Sequence, residues 1–380
     1  MIWFDAHLDL ACLAVCGRDM TRPPEAAARP SWGPAAATLP SLSEGGVAFA
    51  LGTVFIEQVP GDTGVDGLTP EQYREGNIEE AVRRGRAQLE VYETWRDMGL
   101  VKIELPACLK VDPHIGAVRG GMGVSEVVVA PLGKRAAKLA SDGALRIGVL
   151  IEGADSVRSP EDLGWWKSRG AVAMGLAWAK SSRYAQGNMG LPIHGLGAGV
   201  GVSDIGRAMV KACDALGIVH DLSHLSDRAC DELLALTDAP VVASHSNCRE
   251  LLGGETEGKN QRHLRDATIF EIGRRGGVVG LNLYGKFLRQ HPPHEGEGRP
   301  TIDHALDHVE RVCAVIGHRR AVGLGSDMDG GFGALAMCEG VERPAHLAKL
   351  ALGLGARGWS EEEIDGFTHL NWLRFWEGRA

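Results

Sequence analysis

The sequence lacks the features of nucleic-acid-binding and membrane-spanning proteins. Its 380 residues carry a formal net charge of −9, whereas nucleic acids and anionic membranes attract basic surfaces. No run of about 18 apolar residues, the length that a transmembrane helix needs, is present. The first residues show no basic segment, and acidic residues interrupt the apolar stretch, so we expect no signal peptide. We therefore expect a cytoplasmic protein without a nucleic-acid or membrane partner.

The eight cysteines also lack a diagnostic pattern. None forms a C-x-x-C pair with another, so neither a zinc ribbon nor a redox motif is predicted. A long chain for which no export is expected typically keeps scattered cysteines reduced. We expect free thiols.

What the sequence does contain is an alternation of short apolar runs with longer amphipathic segments. The apolar runs occupy residues 2–10, 47–56, 145–153, 171–179, 217–224, 240–246, 276–284 and 320–330. Segments with helical patterning occupy residues 77–99, 203–217, 226–237, 265–277 and 301–317. Eight strands that alternate with helices predict a (β/α)8 TIM barrel.

We interpret residues 1–380 as a single domain of this type, with extra helices between strands 2 and 3, in residues 57–144. An open doubly wound sheet is the alternative. Such a sheet normally has a Gly-rich turn after its first strand, and here the first strand leads into CLAVCGRDM. The barrel is therefore favoured.

Residue types that bind metals recur where the predicted strands end. These residues are His7, Asp9, Glu152, His224, His245 and Asp327. The carboxyl ends of barrel strands share one rim, which carries the active site. The set is too large for one zinc with three protein ligands and suits two metals with a shared carboxylate. We expect Glu152 to bridge, a shared hydroxide to be the nucleophile, and Asp327 to transfer its proton to the leaving amine.

Other polar residues receive simpler interpretations. His220 is expected in the core or behind the site. His304 and His308 are four residues apart on a predicted helix, far from any strand end, and are expected to be solvated. Asp329 is expected to support the turn after the last strand rather than to transfer protons.

Taken in order, seven short motifs resemble the membrane (renal) dipeptidase family of the amidohydrolase-like barrel superfamily. They are DAHLDL, IEG, DLSHLS, APVVASHS, RHLRD, GLNLY and GSDMDG, and they run from residue 5 to residue 330. The resemblance implies hydrolysis of the amide bond of a dipeptide by two Zn²⁺ ions, although other divalent ions fit such ligands. It implies His7 and Asp9 on one zinc, Glu152 as the bridge, and His224 and His245 on the other. Asp327 matches the proton-transfer aspartate of the family.

The resemblance also suggests how substrate is held. Arg262 matches an arginine that grips the terminal carboxylate, although a surface charge is the alternative, and Tyr284 is expected to line the same pocket. Trp178 stands where the family has a histidine that contacts the scissile carbonyl. Either Trp178, Lys180 or the metals supply that contact, or the substrate is a specialised amide or modified peptide. A non-catalytic metal-binding homologue stays a third alternative, and a homodimer is left open.

Overall fold

Eight parallel strands form the centre of the molecule. The structure is a computed structural model that describes residues 1–27, 33–64, 67–105, 107–110, 130–197, 199–254, 260–293, 295 and 297–379. The strands are β1 (Trp3–Leu8), β2 (Val47–Phe55), β3 (Leu145–Glu152), β4 (Ala171–Gly175), β5 (Val219–Asp221), β6 (Val241–Val242), β7 (Val279–Leu281) and β8 (Val322–Leu324). They are hydrogen-bonded in the order β7-β8-β1-β2-β3-β4-β5-β6. A parallel bridge between Ala243 and Val279 joins the two ends of this order. The predicted (β/α)8 barrel is confirmed.

Helices surround the barrel and follow most of its strands. They are α1 (Leu10–Val15), α2 (Pro24–Ala27), α3 (Leu39–Glu44), α4 (Ile78–Asp97), α5 (Leu132–Ala140), α6 (Leu163–Lys167), α7 (Asp204–Leu216), α8 (Asp227–Leu236), α9 (Asp266–Arg274), α10 (Ile302–Ile316), α11 (Ala348–Ala356), α12 (Glu361–Asp365) and α13 (Asn371–Glu377). The cap at the start of α7 shows why the boundaries were predictable. Ser203 accepts a hydrogen bond from the Gly206 amide, and Gly217 ends the helix at φ 65°, which favours glycine.

The long connection between β2 and β3 contains α4 and α5, as predicted. It also contains three short strands at Glu57–Val59, Gln72–Arg74 and Val101–Ile103. The last of these pairs with the beginning of β3. Part of the connection, residues 111–129, lies outside the described residues.

Local sequence pattern predicts no element in residues 331–380, yet the helices there complete the core. Trp372 on α13 is fully buried and stacks on Phe4 of β1 with ring centroids 5.7 Å apart. Its indole N–H donates to the Leu324 carbonyl at 3.0 Å. Within the described part of the chain, no helix combines the length and apolar character needed to cross a membrane.

One prediction about α10 is wrong. His308 is buried at 1% exposure rather than solvated. Its Nδ1 accepts a hydrogen bond from the Cys248 amide at 3.1 Å, and its Nε2 lies 3.3 Å from the Leu288 carbonyl. The helix turns this residue towards the loop after β6, whereas His304 is half-buried and caps the first turn. His220 lies in the core, as expected, with Nε2 2.8 Å from Asp214 Oδ1.

Candidate metal centre

The structure brings the six predicted metal-site residues together on one rim of the barrel. This group, called the rim cluster below, consists of His7, Asp9, Glu152, His224, His245 and Asp327, each less than 10% exposed. Each residue lies at or just after the end of a strand. Parallel pairing of neighbouring strands, such as Asp5 with Leu324 and Asp221 with Val242, aligns those ends.

Glu152 lies between two groups of ligand-type atoms. Its Oε1 is 3.2 Å from His224 Nε2 and 3.4 Å from His245 Nε2. Its Oε2 is 3.5 Å from His7 Nε2. The atoms of His7, Asp9 and Glu152, and those of Glu152, His224 and His245, each lie within 4.8 Å of one another. One carboxylate therefore belongs to two adjoining triads.

Hydrogen bonds behind the histidines set the direction of their lone pairs. His224 Nδ1 is 3.0 Å from Asn188 Oδ1, an oxygen that only accepts, so Nδ1 carries the proton. Ser244 donates to Asp221 Oδ2, so its Oγ accepts from His245 Nδ1 at 2.8 Å. Both imidazoles therefore present Nε2 lone pairs, which face each other at 2.9 Å.

This arrangement fits bound cations. Two lone pairs at 2.9 Å repel each other unless a cation lies beside them. The three carboxylates of the rim cluster are also buried, and buried charges in proteins are normally paired or bound to metal. Imidazole and carboxylate are ligands for zinc and similar divalent ions. The donor set thus suits the predicted metals.

The electrostatics of the rim cluster also favour positive charge. Burial opposes a charge on His7, but Glu152, Asp9 and Asp327 raise its pKa to about 10. Burial also opposes the charge on Glu152, yet His7 and His224 hold the pKa of that carboxyl well below its usual range. The three carboxylates thus attract positive charge to this position, where a bound cation would take the place of the His7 proton, because metals bind neutral imidazole.

Asp327 is held by a neighbouring amide and lies close to His7. Its Oδ2 accepts a hydrogen bond from Asn282 Nδ2 at 2.8 Å, and its Oδ1 lies 3.9 Å from His7 Nε2. Burial raises the pKa of Asp327 to about 7, although His7 opposes the rise. General acids and bases work best with a pKa near the working pH.

Backbone strain is concentrated beside the rim cluster. Among the described non-glycine residues, positive φ occurs at His224, His291, Asp327 and Asp329, with values of 67°, 47°, 60° and 65°. Such conformations cost about 1–3 kcal/mol and persist where surrounding contacts hold them. Asp329 accepts from the amides of Ala36 and Ala37 at 2.8 Å each. These contacts tie the turn after β8 to the loop before α3 and do not involve the rim cluster.

A cavity of about 390 Å³ opens onto the rim cluster. Asp9, Glu152, His224 and Asp327 line it, together with both aromatic residues expected to contact substrate, Trp178 and Tyr284. The Trp178 ring lies 5.7 Å from that of His224 and 5.1 Å from that of Phe55. The Tyr284 ring stacks on Phe332 at 4.0 Å.

Two basic residues occupy different places. Arg262 is 7% exposed, so the alternative of a surface charge is wrong. Its Nη1 donates to Ser246 Oγ at 2.9 Å and its Nη2 to the His245 carbonyl at 2.8 Å. Lys180 instead contacts Glu57 Oε1 at 2.9 Å and the Gln58 carbonyl at 2.8 Å. It belongs to another surface pocket, which leaves it outside the site.

The residues that orient the rim cluster were not predicted from the sequence. Asn188, Asp221, Ser244 and Asn282 each hold a cluster residue or its hydrogen-bond partner. Asp221 and Ser244 lie inside the quoted motifs DLSHLS and APVVASHS, and Asn282 lies in GLNLY. Their positions in those motifs could have predicted that they lie beside the rim cluster. Asn188 lies in a loop without such a signal, and only the folded chain places it beside His224.

Comparison with curated proteins finds partial matches. An uncharacterised dipeptidase of Schizosaccharomyces pombe is 35% identical over 189 residues, which cover 50% of this chain and 41% of that protein. A second uncharacterised dipeptidase of the same organism is matched over 40% of its length. The chain thus spans about two fifths of these relatives.

Solved structures share the fold across nearly the whole chain. A metallopeptidase from Rhodobacter sphaeroides, liganded with a phosphinate mimic of the dipeptide L-Ala-D-Ala, is 24% identical, with a TM-score of 0.70 and coverage of 99% of both chains. The probable dipeptidase PvdM from Pseudomonas aeruginosa is 19% identical, with a TM-score of 0.73 and coverage of 100% of this chain and 96% of that one.

The family model for membrane dipeptidases matches residues 126–379, well over half of the chain. The matched segment contains Glu152, His224, His245 and Asp327, whereas His7 and Asp9 precede it and join the rim cluster through the fold. The chain therefore belongs to the membrane dipeptidase family, peptidase family M19.

Proposed function

We propose that this protein is a metal-dependent dipeptidase whose rim cluster binds two divalent ions, with zinc as the native metal. The observation that carries the proposal is the position of Glu152, whose two oxygens face separate groups of ligand atoms. His7 and Asp9 would hold one ion, His224 and His245 would hold the other, and Glu152 would be shared between them. Thr53 donates to Asp9 Oδ1 and fixes that carboxylate.

The chemistry divides between the ions and the protein. When bound, two divalent ions lower the pKa of a water molecule towards neutrality and polarise the scissile carbonyl. Asp327 takes the proton of the attacking water and delivers it to the leaving amine. We assign this transfer to Oδ1, because Asn282 already donates to Oδ2.

Substrate recognition is assigned to the cavity and to Arg262. A cavity of about 390 Å³ suits a small ligand. The phosphinate dipeptide mimic held by the Rhodobacter sphaeroides metallopeptidase supports a dipeptide. Arg262 Nη1 and Nη2 each use one N–H on Ser246 and His245, and each keeps a second N–H that suits a substrate carboxylate.

The test combines metal analysis with a dipeptide assay. Zinc-loaded protein should hold two tightly bound ions per chain and hydrolyse members of a dipeptide panel, and a chelator should abolish the activity. Glu152→Gln should weaken the binding of both ions, because it alters a shared ligand. His224→Ala should mainly remove the ion from one of the two positions. A fully loaded protein that holds at most one ion would contradict the paired centre.

Asp327→Asn separates proton transfer from metal binding. We expect metal content to stay near the wild-type value while kcat falls far more than KM rises, the pattern of a group used in the transition state. The Asp329→Asn variant is the control, because that residue binds Arg18 and the loop at Ala36 rather than the rim cluster. Near-normal kcat in Asp327→Asn would remove Asp327 from the mechanism.

A specialised amide or modified peptide is a second candidate substrate. Trp178 supports it, because a bulky indole in the cavity stands where the family resemblance places a histidine. Lys180 is held by Glu57 and Gln58, so it does not replace that histidine. Metal-loaded protein that is inert to every simple dipeptide but cleaves a bulkier amide would favour this candidate.

A further inference from the structure

A second group of ligand-type side chains lies in the wall of the same cavity. Cys12 and Cys16 belong to α1 and its carboxyl end, and Glu71 comes from the connection between β2 and β3. One ligand atom from each residue lies within 4.8 Å of the other two. None of the three is a member of the rim cluster.

Hydrogen bonds hold the three side chains of this group in place. Residues four apart on a helix lie on the same face, and the amide of Cys16 donates to the Cys12 carbonyl at 3.0 Å, which holds the two residues in one helical turn. Cys16 Sγ donates to Glu71 Oε2 at 2.8 Å. Thr69 donates to the other oxygen of Glu71 at 2.6 Å, which orients the carboxylate.

We propose that Cys12, Cys16 and Glu71 form a third cation site that binds a thiophilic divalent ion such as Cd²⁺ or excess Zn²⁺. Two thiolates and a carboxylate supply three ligands, and the cavity leaves a fourth position open, as in zinc sites that accept water or a small ligand. Thiolate ligands select softer ions than the nitrogen and oxygen donors of the rim cluster do.

The proposed site opens into the cavity, and metal binding there would release protons. All three residues line the cavity that also contains Asp9 and Glu152. Glu57 lines it as well. A divalent ion that displaces two thiol protons leaves the net charge of the cavity wall unchanged. Binding releases thiol protons, because metals bind the thiolate.

The experiment follows sulfur-to-cadmium charge-transfer absorption in the ultraviolet. Zinc-loaded protein, kept reduced by a phosphine and freed of excess metal, is titrated with Cd²⁺. We expect the absorption to saturate at one Cd²⁺ per chain. The rim cluster contains no sulfur, so Cd²⁺ exchange at the paired centre adds nothing to this signal. No substrate is involved, so the result is independent of the proposed function.

Single substitutions assign the signal to residues. Cys12→Ser and Cys16→Ser should each lose most of the absorption, and Glu71→Gln should keep it but bind Cd²⁺ more weakly. Cys108→Ser is the matched control, because Cys108 is a partly exposed free thiol that does not line the cavity. The proposal would be overturned if the wild-type protein showed no absorption, or if Cys12→Ser and Cys16→Ser kept the full wild-type absorption.

Cadmium NMR of the wild-type protein gives a second measurement that needs no variant. A resonance in the range of thiolate-bound cadmium, in addition to any from nitrogen and oxygen sites, is the expected result. Resonances from nitrogen and oxygen sites alone would overturn the proposal even if the variants failed to fold.

Discussion

At the scale of single residues, contacts behind the rim cluster orient its side chains. His224 and Asp327 have similar burial, but different amides hold them. Asn188 lies against His224 at 3.0 Å, and Asn282 donates to Asp327 at 2.8 Å. The first contact orients a nitrogen lone pair. The second occupies Oδ2 of Asp327 and leaves Oδ1 as the oxygen to which we assign proton transfer.

These two amides should separate metal affinity from turnover. Asn282→Ala should lower kcat by about 10–100-fold with little loss of metal, because it frees a carboxylate that transfers protons. Asn188→Ala should instead weaken metal binding by a similar factor, because it frees a ligand. Metal analysis and steady-state kinetics on both variants check this, and the same phenotype in both would refute the separation.

Trp178 is the residue whose role concerns substrate choice. Trp178→Phe keeps most of the bulk beside His224 and Phe55 and deletes the only N–H of the side chain. We expect kcat to fall by about tenfold or more, because one donor to a developing oxyanion is lost. Trp178→His should broaden activity towards simple dipeptides. If neither variant alters the rate or the range of substrates, Trp178 takes no part in catalysis.

At the scale of elements, α13 and β8 are fitted to each other. A Cβ added at Gly323 of β8 would lie 2.5 Å from Trp372 Nε1. Gly323 therefore provides the space that the buried indole occupies. The effect of a substitution at Gly323 on stability therefore depends on Trp372 as well.

Gly323→Ala should destabilise the protein by about 1–3 kcal/mol through overpacking, and urea unfolding measures the change. Gly164→Ala on α6 is the control, because an added Cβ there meets nothing within 4 Å. The double variant Gly323→Ala with Trp372→Leu should cost less than the sum of the two single changes. Strict additivity would show that the indole is not what excludes the methyl group.

Local sequence pattern predicted the strands and most of the long helices of the barrel better than it predicted their contacts. The eight barrel strands and α7 to α10 follow from short apolar runs, from caps such as Ser203 and from glycines such as Gly217. Parallel strands then place their carboxyl ends on one rim, which is why the rim cluster could be named from sequence. The burial of His308 and the roles of Asn188 and Glu71 depend on contacts between distant segments, which no local pattern encodes.

At the scale of the whole molecule, several histidines are buried in neutral form away from the rim cluster. Burial lowers the pKa of His308 and of His369 to about 4 in each case. In the unfolded chain both return to about 6.5, so unfolding between these values takes up protons. Their contribution to stability is therefore complete above pH 6.5 and is lost as the pH falls towards 4.

We expect the free energy of unfolding to fall by about 1.4 kcal/mol per pH unit for each such histidine below pH 6.5. In His308→Gln, the free energy of unfolding should depend less steeply on pH. Urea unfolding at about pH 7.5, 6 and 5 measures this dependence. His318→Gln, at an exposed position, is the control. An unchanged slope in His308→Gln would show that this histidine does not contribute.

The pairing of β1 with β8 has a consequence for how the protein is made. Ser326 donates through its amide and hydroxyl to Asp5, a residue 321 positions earlier. The amide of Asp327 approaches the His7 carbonyl at 3.3 Å. A nascent chain emerges from its amino end, so His7 and Asp9 are synthesised long before the segment that completes their surroundings. During translation, His7 and Asp9 therefore precede β8, and the rim cluster can be completed only after the segment that carries Asp327 has been made.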